Sequence, residues 1–217
     1  MNLLIFDLDG TLIDSKLDLV HSVNAARALM QQEPISEELV SSYVGSGAPV
    51  LMRRALGPEA SEAEVQRALE YFLHYYRLHM LDNTRLYPGV REALDRLHTA
   101  GTKMAVLTNK PVRFSRALVE GLGLGSHFFQ VYGGNSFEQK KPDPIGIERL
   151  IEESGLERER TIMVGDSGVD VRTARNASVR ACGVTYGFQP ESFVEDPPDL
   201  VVDDLSELAD YVLNGGL

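Results

Sequence analysis

The sequence NLLIFDLDGT at residues 2–11 combines a short apolar run with two closely spaced aspartates. The apolar part, residues 2–6, is long enough for a fully buried strand. Asp7 and Asp9 follow where this run ends, and Gly10 then turns the chain. Residues two apart in a strand point to the same side, so the two carboxylates are expected to converge at the strand end. The stretch predicts a carboxylate site at the carboxyl end of a buried parallel strand, and an ordinary strand followed by a polar turn is the alternative.

A cation is expected at this strand end. Two crowded carboxylates repel each other, and one tends to take up a proton unless a cation lies between them. Mg2+ is the natural ion for this place, because it takes oxygen ligands and keeps several waters. Asp7 and Asp9 alone therefore indicate metal-assisted chemistry.

Composition narrows the class of protein and its partners. The chain has 217 residues, enough for one domain with an insertion, and a formal net charge of -11, which argues against a nucleic-acid partner. Its single cysteine, Cys182, cannot form an internal disulfide and is expected to be a small buried hydrophobe. We find neither a signal peptide nor an apolar stretch near the length of about 20 residues that a membrane span needs. A soluble, cytoplasmic protein without a membrane partner is predicted.

The pattern of helices and strands predicts two domains. Residues 14–82 show helical periodicity and no strand signal, whereas strands alternate with helices from residue 87 onward. Further strands are predicted at 103–107, 128–132, 161–164, 180–184 and 200–202. This alternation is typical of the α/β class with a doubly wound, mostly parallel sheet. We therefore predict a core formed by residues 1–13 and 83–217, and an all-helical inserted domain at 14–82.

Polar residues gather at the predicted strand ends, where open α/β sheets bind their ligands. They follow three of the strands, and a lysine lies on the loop after another. These residues are Asp7, Asp9, Thr108, Asn109, Lys141, Asp166 and Asp170. Each has an ordinary alternative as a turn residue, a solvated charge or a helix cap. Together they suit phosphoryl transfer, which needs a nucleophile, a metal and donors for the phosphate oxygens.

Four motifs resemble, in order, those of the haloacid dehalogenase superfamily of phosphatases. They are Asp7-Leu8-Asp9-Gly10-Thr11, Thr108-Asn109, Lys141 before Pro142, and Gly165-Asp166-Ser167-Gly168-Val169-Asp170. The resemblance covers essentially the whole chain, including a helical cap domain inserted after the first strand. Within the superfamily the sequence looks most like the phosphoglycolate phosphatases. The residues that carry this finer likeness are Tyr43-Val44-Gly45-Ser46-Gly47-Ala48, Leu51, Arg53, Arg54, Ala55, Leu56 and Lys141-Pro142-Asp143-Pro144.

The resemblance implies an enzyme that hydrolyses phosphomonoesters through an aspartyl-phosphate intermediate. Its substrate would be a small phosphorylated metabolite, with 2-phosphoglycolate favoured. Asp7 would be the nucleophile, and Asp9 the general acid and then the general base. Thr108, Asn109 and Lys141 would hold the phosphate.

The resemblance also implies a Mg2+ site. The ion would be held by the carboxylate of Asp7, the backbone carbonyl of Asp9 and the carboxylate of Asp166. Asp170 would not bind the ion itself but would orient a water molecule that does.

The inserted domain is expected to read the far end of the substrate and to exclude water from the site. Arg53 and Arg54 are the candidates for a substrate carboxylate, because a guanidinium matches a carboxylate in shape. Gly45, Ser46 and Gly47 would let the backbone approach the ligand. A solvated helix face and a plain turn between helices are the respective alternatives.

Several rival functions are weighed on the same residues. A dehalogenase would not need Asp9, and a phosphonate hydrolase would need a lysine in the inserted domain, where none occurs between Lys16 and Lys103. A sugar-phosphate phosphatase or phosphomutase, a pyrophosphatase and a non-catalytic phosphate-binding module on the same fold remain as alternatives.

Overall fold

The protein consists of two compact units, seen in a computed structural model that describes residues 2–216. One is a helical unit, Asp14–Arg85, and the other is a core made of Met1–Ile13 and Leu86–Leu217. The terminal residues 1 and 217 of the predicted core lie outside the described range. Within residues 2–216, every helix is too short or too polar to span a lipid bilayer.

Six of the strands in the described residues form one parallel sheet. The strands are β1 (Leu3–Phe6), β2 (Ile13–Asp14), β3 (Arg85–Leu86), β4 (Lys103–Leu107), β5 (Gln130–Tyr132), β6 (Thr161–Gly165), β7 (Arg180–Val184) and β8 (Leu200–Val202). The sheet order is β5-β4-β1-β6-β7-β8, and β2 pairs with β3 separately. β1 is central and pairs in parallel with β4 on one side and β6 on the other. The carboxyl ends of these three strands therefore meet at one edge.

Helices cover the sheet of the core. They are α5 (Val90–Thr99), α6 (Val112–Gly121), α7 (Ile145–Ser154), α8 (Gly168–Asn176) and α9 (Leu205–Leu213), and they follow α1 (Lys16–Leu29), α2 (Glu37–Tyr43), α3 (Ala48–Leu56) and α4 (Glu62–His79) of the helical unit. α7 packs on β1 and β4, whereas α8 packs on β6 and β7. All four residues of β1 are fully buried, which explains its uninterrupted apolar sequence. The predicted α/β fold with an inserted helical domain is confirmed.

Some element ends differ from the sequence prediction. β5 begins at Gln130 rather than at 128, and a short 3-10 turn at Gly125–His127 precedes it. The N-cap of α7 is Pro144, whereas Asp143 in the sequence is the type of residue expected at a helix N-cap. The Asp143 carboxylate still accepts a hydrogen bond from the Ile145 N–H at 3.0 Å, so it serves the same helix end from one residue further out. Cys182 is buried as expected, and burial raises the pKa of its thiol to about 12.

The helical unit is stabilised by helix caps and by a packed interior. The hydroxyl of Ser36 accepts a hydrogen bond from the backbone of α2. Ser61 and Glu64 form a reciprocal capping box at the start of α4, in which each side chain satisfies the other residue's backbone N–H. α4 packs along α1 and α3, with Phe72 and Tyr76 stacked at 5.8 Å in its buried face. These caps and contacts stabilise the four helices of the unit.

The helical unit ends at Arg85, three residues beyond the predicted boundary at 82. The cause is Asp18 on α1, which is 1% exposed. Its carboxylate accepts hydrogen bonds from the backbone N–H of Asn83 and of Thr84 and from both of their side chains, at 2.7–3.1 Å. Residues 83–85 therefore group with the helices in the structure, whereas the predicted second core segment begins at 83.

Candidate active site

Three buried carboxylates meet at the carboxyl edge of the sheet. Asp7 follows β1, Asp166 follows β6, and Asp170 lies in the first turn of α8. Each offers an oxygen that lies within 4.8 Å of the oxygens offered by the other two. Since β1 and β6 are neighbours in the sheet, residues more than 150 positions apart come into one cluster. The carboxylate of Asp9 lies outside this cluster.

Lys141 supplies the positive charge inside the acidic cluster. Its Nζ lies 2.6 Å from Asp170 Oδ1 and 3.0 Å from Asp7 Oδ1, and the side chain is almost completely buried. Burial alone lowers the pKa of a lysine, but the two carboxylates outweigh it and raise the pKa of Lys141. Lys141 is therefore an ammonium ion held between Asp7 and Asp170.

Two carboxylates of the cluster, Asp7 and Asp166, hold protons more tightly than exposed aspartates do. Burial, opposed by Lys141 and assisted by Asp170, raises the pKa of Asp7 from 3.8 to about 6. Burial, with the charges of Asp170 and Asp7, also raises the pKa of Asp166 well above its usual range. One lysine thus does not neutralise three carboxylates. The set of oxygen donors and its excess negative charge fit a hard divalent cation such as Mg2+.

Asp166 is oriented by backbone groups rather than by charged partners. Its Oδ2 accepts a hydrogen bond from the Phe188 N–H at 2.6 Å. Gly10, in the loop after β1, lies close to Asp166 and has a left-handed φ of +82°. A Cβ at this position would lie 2.1 Å from Asp166 Oδ2. Only glycine combines this φ with this close approach at low cost. The sequence analysis used Gly10 as a turn residue and missed the contribution of Phe188, because a backbone N–H has no side-chain signal.

Asp170 is fixed on the helix side of the cluster. Its Oδ2 accepts hydrogen bonds from the Ser167 hydroxyl at 2.7 Å and from the Ser167 N–H at 3.2 Å. Ser167 is the N-cap of α8, and Asp170 closes the capping box. The alternative role for Asp166 was that of a helix cap. In the structure Ser167 caps α8 instead. Asp166 is left to face Asp7 and Asp170.

The turn after β4 lies beside these groups, because β4 is the other neighbour of β1. Thr108, Asn109 and Lys141 line one small cleft. The Asn109 side chain donates a hydrogen bond to the Lys141 backbone carbonyl at 3.0 Å and so ties the two loops together. The Thr108 hydroxyl accepts a hydrogen bond from the Lys110 N–H at 3.3 Å. Thr108, Asn109 and Lys141 are thus brought together in the core.

Asp9 has a partner that the sequence analysis missed. Lys110 Nζ lies 2.8 and 2.9 Å from the two carboxylate oxygens of Asp9. In the sequence Lys110 is one loop lysine among others, and no spacing links it to Asp9. The signal that could have found it is its position directly after Thr108-Asn109, at the end of a strand next to β1.

The residues predicted to read the substrate lie in the helical unit. Gly45, Ser46 and Gly47 connect α2 to α3, and both glycines have positive φ angles. Arg53 donates to the Ala60 carbonyl at 2.6 Å and pairs with Glu62, so its guanidinium is engaged within the unit. The side chain of Arg54 is exposed.

Comparison with known proteins assigns the class. Residues 4–184 match the family described as haloacid dehalogenase-like hydrolase. The chain belongs to this family, and the acidic edge of its sheet carries the four motifs in the expected order. It is an enzyme, a phosphatase of the haloacid dehalogenase type.

Individual relatives point to one branch of that class. The chain is 41% identical over 213 residues to a phosphoglycolate phosphatase of Pseudomonas fluorescens (strain Pf0-1), covering 95% of this chain and 78% of the relative. It is 42% identical over 209 residues to a phosphoglycolate phosphatase of Agrobacterium fabrum, covering 95% and 90%. A crystal structure described as a predicted phosphoglycolate phosphatase from Haemophilus somnus 129pt superposes with a TM-score of 0.92 at 33% identity, covering 98% of both chains.

Proposed function

We propose that the protein is a Mg2+-dependent phosphatase that hydrolyses 2-phosphoglycolate in the cytoplasm through an aspartyl-phosphate intermediate. The observation that carries the mechanism is the buried cluster of Asp7, Asp166 and Asp170 around Lys141. The substrate is supported by the relatives named phosphoglycolate phosphatase.

Asp7 acts as the nucleophile in this proposal. One of its carboxylate oxygens forms a bond to phosphorus while the bond from phosphorus to the leaving oxygen breaks. Lys141, 3.0 Å from Asp7 Oδ1, holds that carboxylate in place and offsets the charge of the incoming phosphate. A covalent intermediate divides the hydrolysis into two easier displacements.

Asp9 handles the protons. It donates a proton to the leaving oxygen in the first displacement, which releases the alcohol. In the second, the same carboxylate takes a proton from the water that attacks phosphorus, so the proton count balances and Asp7 is regenerated. The Thr108 hydroxyl, the Asn109 N–H and the Lys141 ammonium hold the phosphoryl oxygens throughout.

Asp7, Asp166 and the backbone carbonyl of Asp9 would hold Mg2+, and Asp170 would orient a water bound to it. When bound, the ion neutralises charge on the carboxylates and on the phosphoryl group. The raised pKa values of Asp7 and Asp166 support this assignment, because burial and like charges penalise the ionised forms until a cation joins them.

The helical unit, in this proposal, is the cap that selects the substrate. Arg54 and the Gly45–Gly47 turn are its main candidates, and Arg53 joins them if it leaves Glu62 when the ligand binds. A guanidinium would match the carboxylate of 2-phosphoglycolate.

A substrate panel tests the proposal. The purified protein is assayed with 2-phosphoglycolate, sugar phosphates, nucleotides, pyrophosphate and an aryl phosphate, each with Mg2+ and with a chelator. We expect Mg2+-dependent phosphate release, with the highest kcat/KM for 2-phosphoglycolate. A preference for another ester supports the phosphatase mechanism but contradicts 2-phosphoglycolate as the substrate. Conversion of one sugar phosphate to another indicates a mutase. No turnover of any ester contradicts the proposal.

A further inference from the structure

Lys110 and Asp9 form a buried ion pair at the edge of the sheet. The side chains are only 6% and 10% exposed, respectively. The Lys110 ammonium donates to both carboxylate oxygens, at 2.9 and 2.8 Å. Both oxygens of Asp9 therefore face one ammonium group, and the carboxylate is held toward Lys110.

The backbone of Lys110 is itself held firmly. Its carbonyl accepts a hydrogen bond from the Gly134 N–H at 2.8 Å, and its N–H donates to the Thr108 hydroxyl at 3.3 Å. Gly134 packs directly on the same turn, so a Cβ there would lie 2.3 Å from the Asn109 carbonyl oxygen. The end of β5 thus supports the turn that carries Lys110. The lysine is anchored at its backbone and directed at Asp9 by its side chain.

We propose that Lys110 is the positioning residue for the acid–base carboxylate, holding Asp9 in the orientation in which it exchanges a proton with the leaving oxygen and with water. The inference rests on the proposed function, in which Asp9 carries that proton. Each carboxylate oxygen has two lone pairs, and a hydrogen bond from Lys110 takes up one of them on each oxygen. The proton passes between Asp9 and the reacting oxygen, and Lys110 keeps all three of its protons in both steps.

A geometric role for Lys110 is favoured by what surrounds the pair. The phosphate in this proposal is held by Lys141, which lies between Asp7 and Asp170. Lys110 instead has both oxygens of Asp9 within hydrogen-bond distance. Supporting groups of this kind keep a reacting side chain in its productive geometry, and losing one typically costs about 10–100-fold in activity.

Leaving-group dependence tests the inference. Lys110→Met removes the ammonium at similar length, and its kcat/KM is compared with wild type for 2-phosphoglycolate and for p-nitrophenyl phosphate. The alkoxide of the first needs a proton to leave, whereas p-nitrophenolate does not. We expect a loss of about 10–100-fold for 2-phosphoglycolate and of less than about threefold for the aryl ester. Lys110→Arg, which can also donate to both oxygens, is expected to restore most of the difference.

Lys103→Met is the matched control, because Lys103 lies at the other end of β4 and donates to the Ser154 carbonyl at 2.6 Å. This variant loses a lysine and its hydrogen bond at the start of β4, and it should leave both kcat/KM values unchanged. When Asp9→Asn is already present, adding Lys110→Met should lower kcat/KM for 2-phosphoglycolate by less than a further factor of about two, because the effects of coupled residues are not additive.

The outcomes separate the inference from the function on which it rests. Equal losses on both esters, or full activity of Lys110→Met on 2-phosphoglycolate, overturn the positioning role while the phosphatase stands. A wild-type protein that hydrolyses neither ester overturns the proposed function itself. Circular dichroism and thermal melts of each variant identify any loss that comes from unfolding.

Discussion

Asp18 in the helical unit and Asp166 in the core are both buried aspartates, but their neighbours differ in kind. Asp18 is surrounded by neutral donors, the N–H groups and side chains of Asn83 and Thr84. Asp166 has one backbone donor, from Phe188, and two further carboxylates close by. The pKa values follow these neighbours: despite burial, the hydrogen bonds lower the pKa of Asp18, whereas burial and like charges raise that of Asp166.

The contrast distinguishes a structural buried charge from a binding one. A carboxylate that has all its hydrogen bonds from the protein stabilises the fold without further help. Crowded carboxylates with one lysine among them repel each other, and this repulsion destabilises the site until a cation binds with the phosphate. The first arrangement closes the helical unit, and the second prepares the sheet edge for a ligand.

The largest effect is expected from Asp7→Asn. The substitution keeps the side-chain volume but removes the nucleophile, so turnover should fall by at least about 1,000-fold. Because it also removes one of the three crowded carboxylates, the metal-free variant should be at least as stable as wild type. Steady-state kinetics and a thermal melt without Mg2+ check the two statements. Normal turnover contradicts the assignment of Asp7 as the nucleophile. A large loss of stability contradicts the idea that the three carboxylates destabilise the metal-free fold by repelling each other.

Gly10→Ala should come next, because it disturbs Asp166 without removing any charge. The new methyl group would meet Asp166 Oδ2 and would have to adopt a φ of +82°. We expect the apparent Mg2+ affinity to fall by about 10–100-fold. Titration of activity with Mg2+ measures it, and Gly101→Ala, with a similar φ and open space around it, controls for the backbone cost. An unchanged Mg2+ dependence contradicts a metal role for Asp166.

Asp18→Ala tests the structural member of the pair. Its removal leaves the donors of Asn83 and Thr84 without their acceptor, at a cost of about 3 kcal/mol in the free energy of unfolding. Denaturant unfolding measures this cost. Asp82→Ala, a neighbouring exposed aspartate, is the control and should change stability by less than about 0.5 kcal/mol. Equal effects of the two substitutions would show that the Asp18 contacts do not stabilise the unit.

The smallest effect concerns pH and metal together. The pKa of Asp7 is raised from 3.8 to about 6 in the metal-free fold, so the folded state binds the proton more tightly than the unfolded state does. Stability is therefore lost as pH rises through this window, with the full loss present above about pH 6. Mg2+ should thus raise the Tm by more at about pH 8 than at about pH 5, at about 2–4 °C per kcal/mol.

Asp166→Asn controls the thermal-shift experiment, because it removes a proposed ligand and should weaken the Mg2+ shift at both pH values. A shift in the wild-type protein that is the same at both pH values contradicts the assigned competition between protons and metal.

The sequence was most informative where burial is complete. β1 and β4 lie inside the sheet with helices on both sides, and such strands appear as continuous apolar runs, so 103–107 was predicted to the residue. Asp7 and Asp166 stood out in the sequence because each directly follows an apolar run, β1 and β6 respectively. Caps such as Ser36 and Ser61 depend only on neighbours in sequence, so they too are of the kind that a sequence can reveal.

Contacts that depend on the order of the strands were not predictable in this way. Lys110 meets Asp9 only because β4 lies next to β1, and the spacing of the two residues contains no trace of that. The boundary at Arg85 likewise depends on a contact between α1 and a segment 65 residues later. Lys110 and Asp18 both look like solvent-exposed residues in the sequence. Each is buried in the structure against a partner that is distant along the chain.

The central position of β1 has a consequence for the order in which the protein forms during synthesis. β1 ends at Phe6, yet its two partners begin only at Lys103 and Thr161. A ribosome adds about 5–20 residues per second, so this apolar strand and Asp7 wait several seconds before either side of the sheet can close on them. The helical unit, whose internal contacts all lie within residues 14–85, can form during that wait. Catalytic competence is therefore expected as one of the last events of folding, after β6 has been made.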